Sequence, residues 1–471
     1  MYSKPFEKTE RTDLLTGVKI QTFRHPCGLI LHRIPKKKFS KKFAGILVPF
    51  GSIHNQFTTE EGTATFPAGT AHYLEHCIFS REEEGGLLNR LSALGVSANA
   101  YTSHTHTMYY FTTVDHFAEA FDLYFNAVIH PYLEQDRIDA ERSIILQELE
   151  MYQDDPENRC FANMIESLYS DHPVRIDIGG TKDSVLQITP DHLKCIQRSF
   201  YTPQALTVTV AGDIDEEEIL SILQKHLDAM GDYSTKRPVF IYPDEPGTVG
   251  RPLIEDKMDV SAESFLIGIK NPAVSPHHPI IGADKVILQR GGQLFCEMIL
   301  GSSSEIFETL YAEGLVNDSF SFQFVCEETY SYLAMGGESP EPVVAAKKLH
   351  ALVMASIPSL EAELLKKAGD TEGAGNDGDT GNTGGDAIDE PSGFELQKRV
   401  EAGDFVRSLD SVEHCGMSAA IAEMSGLNIF DYPAIYDKME LEQVTESMRF
   451  ICDPNLETES FILMKDGDLD G

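Results

Sequence analysis

The chain has 471 residues, 42% of them apolar and 24% charged, with a formal net charge of −37. It is too long for one ordinary core, and its composition is that of a globular protein. So acidic a surface repels phosphate backbones, which sets nucleic acid aside as a partner, and no apolar run reaches the roughly 18 residues of a membrane span.

Residues 17–24, 28–35 and 42–50 read as short β-prone segments separated by Gly and Pro, and predict antiparallel pairing. A helix fits 67–79. The stretch "GGLLNRLSALGVSANAYTSHTHTMYYFTTV" reads as a helix stopped at Gly95, then strands over 96–102 and 107–113. Helical periodicity covers 115–129, 134–154 and 158–169, followed by a helix over 190–201 and the strand "ALTVTVAG". Strands and helices segregate in runs, so the expected class is α+β: two related domains, each an antiparallel-rich sheet with helices packed on one side.

The Pro- and Gly-rich segment 232–252 reads as a linker, dividing a first domain, 1–235, from a second, 253–471, by residues 236–252. Strands near 252–259 and 264–271, a helix-rich centre and the final strand "ESFILM" repeat the earlier order. The ends of the two halves, Gly212-Asp213-Ile214-Asp215 and Gly467-Asp468-Leu469-Asp470, support a duplication. Residues 368–392 hold seven acidic residues and no basic one; this Gly-rich tract has little to bury and reads as a flexible insertion. The eight cysteines form no CxxC pair, which argues against a disulfide framework and against a thiolate zinc site. The charged N-terminus lacks the apolar core of a secretory signal, so a cytoplasmic location is expected.

The chemistry concentrates in "GTAHYLEHCIFS", residues 69–80. Positions i, i+3 and i+4 share a helix face, so His72, Glu75 and His76 point the same way, with two imidazoles one turn apart and a carboxylate between them. Two such histidines can hold a tetrahedral cation, and a carboxylate beside it can accept a proton during attack on a carbonyl. The helix "DAERSIILQELEMYQDD" supplies Glu141, Glu148 and Glu150 as candidates for a third ligand. Glu141 and Glu148, two turns apart, share a face from which Glu150 is rotated away; Ile144 and Ile145 suggest that this face turns inward. Cys77, beside His76, reads as a small packed residue, and His104 and His106 alternate with Thr on a strand.

His72-x-x-Glu75-His76 followed by Glu141 and Glu148 resembles the inverted zinc motif of the pitrilysin/insulinase family of metallopeptidases. The resemblance implies a pair of related α+β domains and a Zn2+-dependent endopeptidase that cleaves short or unfolded peptides inside a closed chamber. It implies His72, His76 and Glu148 as zinc ligands, Glu75 as general base, and Glu141 as a carboxylate that orients the site. "GVSANAYTSHTHTMYYF" is similar to the family strand that meets substrate backbone, here through Asn99 and Ala100. The loop that begins at His172-Pro173 and reaches the glycines at 179–180 also resembles that of small bacterial members.

Family members often carry an Arg and a Tyr that hold the substrate carbonyl, in a segment that here reads "LYAEGLVNDSFSF", with Tyr311 in place of the Arg and Asn317 in place of the Tyr. The resemblance therefore implies the zinc-bearing subunit of a heterodimer, completed by a homologous zinc-free partner that supplies the Arg/Tyr pair; a homodimer is the second expectation. The alternatives are a noncatalytic scaffold or assembly subunit, which would usually lack part of HxxEH, and a metal-dependent amide hydrolase of a modification pathway.

Overall fold

The computed structural model describes residues 6–59, 62–79, 86–230, 237–373 and 393–465. The described chain divides into two compact units. The first comprises 1–154, 172–243 and 404–432, and the second 155–171, 244–403 and 433–471. The boundary is therefore not a single cut near the linker, because each unit takes in one short segment from the other half of the sequence.

In the first unit a seven-stranded sheet is built from β1 (Glu7–Thr12), β2 (Lys19–Arg24), β3 (Ile30–Pro35), β4 (Lys42–Val48), β7 (Ser97–Thr102), β8 (Thr107–Thr113) and β9 (Thr207–Gly212). A separate hairpin is formed by β5 (Gln56–Thr59) and β6 (Gly62–Thr65). The large sheet has the order β1-β2-β3-β9-β4-β8-β7. The expected antiparallel pairing holds for β2 with β3, but β9 inserts between β3 and β4, parallel to the first and antiparallel to the second. Such an insertion depends on a strand some 170 residues away, which local patterning does not reveal.

β4 is apolar on both faces. Ala44, Ile46 and Val48 join the larger core with the helix Phe117–Ile129, whereas Phe43 faces the helix Val412–Met424. A strand buried on both sides reads as an unbroken apolar run, and this one needs a helix on its second face as well as the layer expected on its first. Contact there is close: a Cβ on Gly416 would lie 2.2 Å from the Phe43 ring. Phe121 and Phe125, each 1% exposed, contribute about 2–3 kcal/mol apiece by burial.

The second unit holds β10 (Leu253–Met258), β11 (Ser264–Lys270), β12 (Ser321–Cys326), β13 (Ser331–Glu338) and β14 (Glu457–Met464), ordered β10-β14-β11-β13-β12. β10 and β14 are parallel and the remaining neighbours antiparallel. Position for position this repeats β3-β9-β4-β8-β7 of the first unit, including its single parallel pair. The helix Pro156–Leu168 packs on this sheet, with Met164 against Gly268 of β11. Asp155 caps that helix by accepting from the Asn158 amide, and proline at its first turn has no N–H to leave unpaired.

The second half of the linker belongs to this unit. Glu245, 2% exposed, accepts the amides of Ser170 and Asp171 and pairs with Lys270, 3% exposed, at 2.5 Å. Most of the acidic insertion, 374–392, and the terminal Gly467-Asp468-Leu469-Asp470 lie outside the described residues. No described helix is long and apolar enough to cross a membrane.

Candidate metal centre

Two helices of the first unit build the site. The histidine helix, Thr70–Phe79, carries His72, Glu75 and His76, and the glutamate helix, Gln135–Asp154, carries Glu141 and Glu148. Tyr73, on the buried face of the first, donates its hydroxyl to the Ile138 carbonyl of the second and pins the two together. Gly69 begins the histidine helix at φ +86°, where a side chain would be strained and its Cβ would strike the Gly179 carbonyl at 2.3 Å. The absence of a side chain at Gly69 lets the loop after His172 approach the site closely, and a Cβ on Gly179 would lie 3.6 Å from His72 Nδ1.

The ligand atoms of His72, His76 and Glu148 converge within 4.8 Å of one another, and this is the one such group among the described residues. His76 Nε2 is 3.3 Å from His72 Nε2 and 3.3 Å from Glu148 Oε2, while His72 Nε2 lies 3.9 Å from that oxygen. Tetrahedral zinc with bonds of about 2.0–2.1 Å separates its ligands by roughly 3.4 Å, so two edges of this triangle match and the third is slightly wide. On the far side of the ring, His76 Nδ1 is 3.5 Å from Glu141 Oε2. A carboxylate at Nδ1 leaves Nε2 with its lone pair toward the other two donors, the usual support of a metal-binding histidine. Two nitrogens and one carboxylate oxygen, backed in this way, fit zinc.

Electrostatics describe the same cation-attracting centre. Burial opposes a charge on His76, yet hydrogen bonds to Glu141 and Glu148 and the nearby charges of Glu148 and Glu75 outweigh it and raise its pKa to about 9. His72 is pushed down, first by burial and then by His76, against the pull of Glu148. The hydrogen bond with His76 holds the Glu148 carboxyl below the usual range in spite of burial. Burial raises Glu75, with the Thr102 hydrogen bond opposing.

Each residue singled out in the sequence has a definite place. Glu75 is 9% exposed and accepts a hydrogen bond from Thr102 Oγ1 at 2.6 Å. Glu150 points away and pairs with Lys182 at 3.4 Å. The inward turn read from Ile144 and Ile145 holds for Ile145 alone; Ile144 is 52% exposed. The two isoleucines flank the Glu141–Glu148 stripe on opposite sides, so the carboxylates run along the border between core and solvent. Cys77 is buried, and burial pushes its thiol well up. His104 bonds Ser52 and His106 bonds Ser103 and Tyr101, apart from the metal group.

Asn99 and Ala100 lie on β7, the edge strand of the large sheet. The Ala100 amide is held by Asn99 Oδ1 at 2.9 Å, and the Asn99 carbonyl accepts from Tyr124 at 2.8 Å. In the second unit Tyr311 is half exposed and packs at a tilt against Phe307, and Asn317 donates to Glu338. Sequence reasoning missed Thr102 and Asp177. Asp177 accepts from the Gly179 amide and is raised by burial, with Glu148 adding to the rise. A polar residue on the same strand face as Ala100 was the available signal for Thr102; Asp177 had none.

Residues 32–182 match the family described as Insulinase (Peptidase family M16), and residues 187–367 match the Peptidase M16 inactive domain. An uncharacterized zinc protease of Bacillus subtilis, YmfH, is 28% identical over 450 residues, covering 94% of either chain. An uncharacterized zinc protease of Mycobacterium leprae is 34% identical over 163 residues, 34% of this chain and 37% of that one. The crystal structure of an M16-like protein from Alicyclobacillus acidocaldarius superposes with a TM-score of 0.83 at 25% identity, covering 96% of this chain and all of that one.

Proposed function

Because the chain belongs to the insulinase family, peptidase family M16, we propose that it is a zinc-dependent endopeptidase acting on short or unfolded peptides. The observation that carries this reading is the convergence of His72, His76 and Glu148 on one point beside the Glu75 carboxylate. His72, His76 and Glu148 would hold the zinc, which supplies a Lewis acid and lowers the pKa of the water it binds. Glu75 takes the proton of the attacking water and returns it to the leaving amine. Glu141 keeps the His76 ring turned so that Nε2 faces the metal position. An extended substrate adds to the edge of β7, where the Ala100 amide exchanges the Asn99 side chain for a substrate carbonyl.

The second unit offers neither an Arg at 311 nor a Tyr at 317, which supports a homologous zinc-free partner that supplies both and closes the chamber. The test is hydrolysis of a peptide pool, read by mass spectrometry, for the zinc-loaded chain and its Glu75→Gln variant. Slow cleavage that disappears in the variant, with zinc retained, is the expected result. Turnover typical of a complete enzyme from this chain alone refutes the need for a partner. Absence of cleavage even with candidate partners present refutes the peptidase reading.

A further inference from the structure

We infer that Thr102 is a positioning residue that aims the Glu75 carboxylate, and that it does so from the same edge strand on which the substrate lies. This inference rests on the peptidase reading and adds a residue to it. Glu75 sits on the histidine helix with its side chain buried, and among the described residues Thr102 is the side chain that hydrogen-bonds it. The 2.6 Å separation lies at the short end of the range for a hydroxyl donor. With Oε2 fixed in this way, Oε1 remains to take the proton.

Thr102 is itself held. It ends β7, paired with Thr107 of β8, whose buried hydroxyl donates to the Phe50 carbonyl at 3.0 Å. The proton of Thr107 is thereby committed to Phe50 rather than to Thr102, whose own hydroxyl donates to Glu75. Successive strand residues alternate faces, so Thr102 shares the face of Ala100, two positions earlier. Ala100 is partly buried at the sheet edge, and Thr102 bonds Glu75 of the helix. A peptide that pairs with the backbone at 99–100 therefore fixes the strand whose next side chain on that face sets the base. Productive binding and orientation of Glu75 are coupled through two residues.

The test compares Thr102→Val and Thr102→Ser with the wild-type chain, each zinc-loaded, using the same peptides and the partner subunit where one is required. Valine keeps the shape and removes the donor; serine keeps the donor and removes a methyl. The expected result is a kcat lower by roughly 10- to 100-fold for Thr102→Val, with KM unchanged and most of the kcat restored in Thr102→Ser. Zinc content by atomic absorption stays the same in all three, and a crystal structure of Thr102→Val shows the Glu75 carboxylate rotated from its wild-type orientation. A packing role predicts the opposite order, because valine keeps the methyl that serine loses. Thr102→Ala, also without a donor, serves as the second variant should Thr102→Val not fold. An active wild type whose donorless variants keep their kcat, or whose serine variant falls as far as valine, overturns the inference alone. A wild type that cleaves no peptide overturns the peptidase reading and this inference with it.

Discussion

Glu141 touches the centre only through His76, and Glu141→Ala isolates what that contact contributes to metal binding. Oε2 lies 3.5 Å from His76 Nδ1, with the two side chains 15% and 21% exposed. Coulomb's law at an effective dielectric of about 20 sets a ceiling of about 5 kcal/mol for full charges at that distance. His76 is neutral when its Nε2 binds metal, so the relevant quantity is a hydrogen bond to a charged acceptor, about 1.5–3 kcal/mol. The long separation places this one at the lower end, and the expected loss of zinc affinity is roughly 10- to 30-fold, within the range for residues that support metal ligands. Competition against a chromophoric chelator reads the affinity directly. Glu141→Gln, which keeps an acceptor, should lose less. Glu150→Gln, which alters a carboxylate on the same helix that faces away, should lose nothing. Affinity within twofold of wild type in Glu141→Ala would refute the role given to this carboxylate, whatever the outcome of the peptide assay.

Two further outcomes concern charged residues outside the metal group. Lys270→Met leaves Glu245 buried without its cation and should destabilise the second unit by about 3–5 kcal/mol in urea unfolding, with partial recovery in the double variant Lys270→Met/Glu245→Gln. Glu423 of the helix Val412–Met424 is half buried; burial works against its charge, but the approach of His32 Nε2 to 3.1 Å and the hydrogen bond from Arg24 outweigh burial and hold its carboxyl below the ordinary value of 4.5. A depressed carboxyl stabilises fully above that value, and the contribution is lost as pH falls through the lower folded-state value. Glu423→Gln should therefore flatten the decline of unfolding free energy below about pH 4.5, and an unchanged slope would show that this helix is not held by its charge.

The parts of this protein that were legible in the sequence are those governed by short-range geometry. The placing of His72, Glu75 and His76 on one helix face, and of Glu141 and Glu148 two turns apart on another, follows from 3.6 residues per turn and needs no other part of the chain. Strand and helix positions in the first half follow from periodicity in the same way, and β7 and β8 lie within a residue of their expected bounds. Tertiary structure decided what depends on contacts between distant segments. It set β9 between β3 and β4 and laid the helix Val412–Met424 on the first sheet, because β4 has a second apolar face to cover. It also brought Glu148 Oε2 to 3.3 Å from His76 Nε2 by locking one helix to the other through Tyr73, and carried Thr102 to Glu75 across 27 residues. Spacing within a helix is fixed by bond geometry, whereas the distance between two helices is fixed by the side chains packed between them.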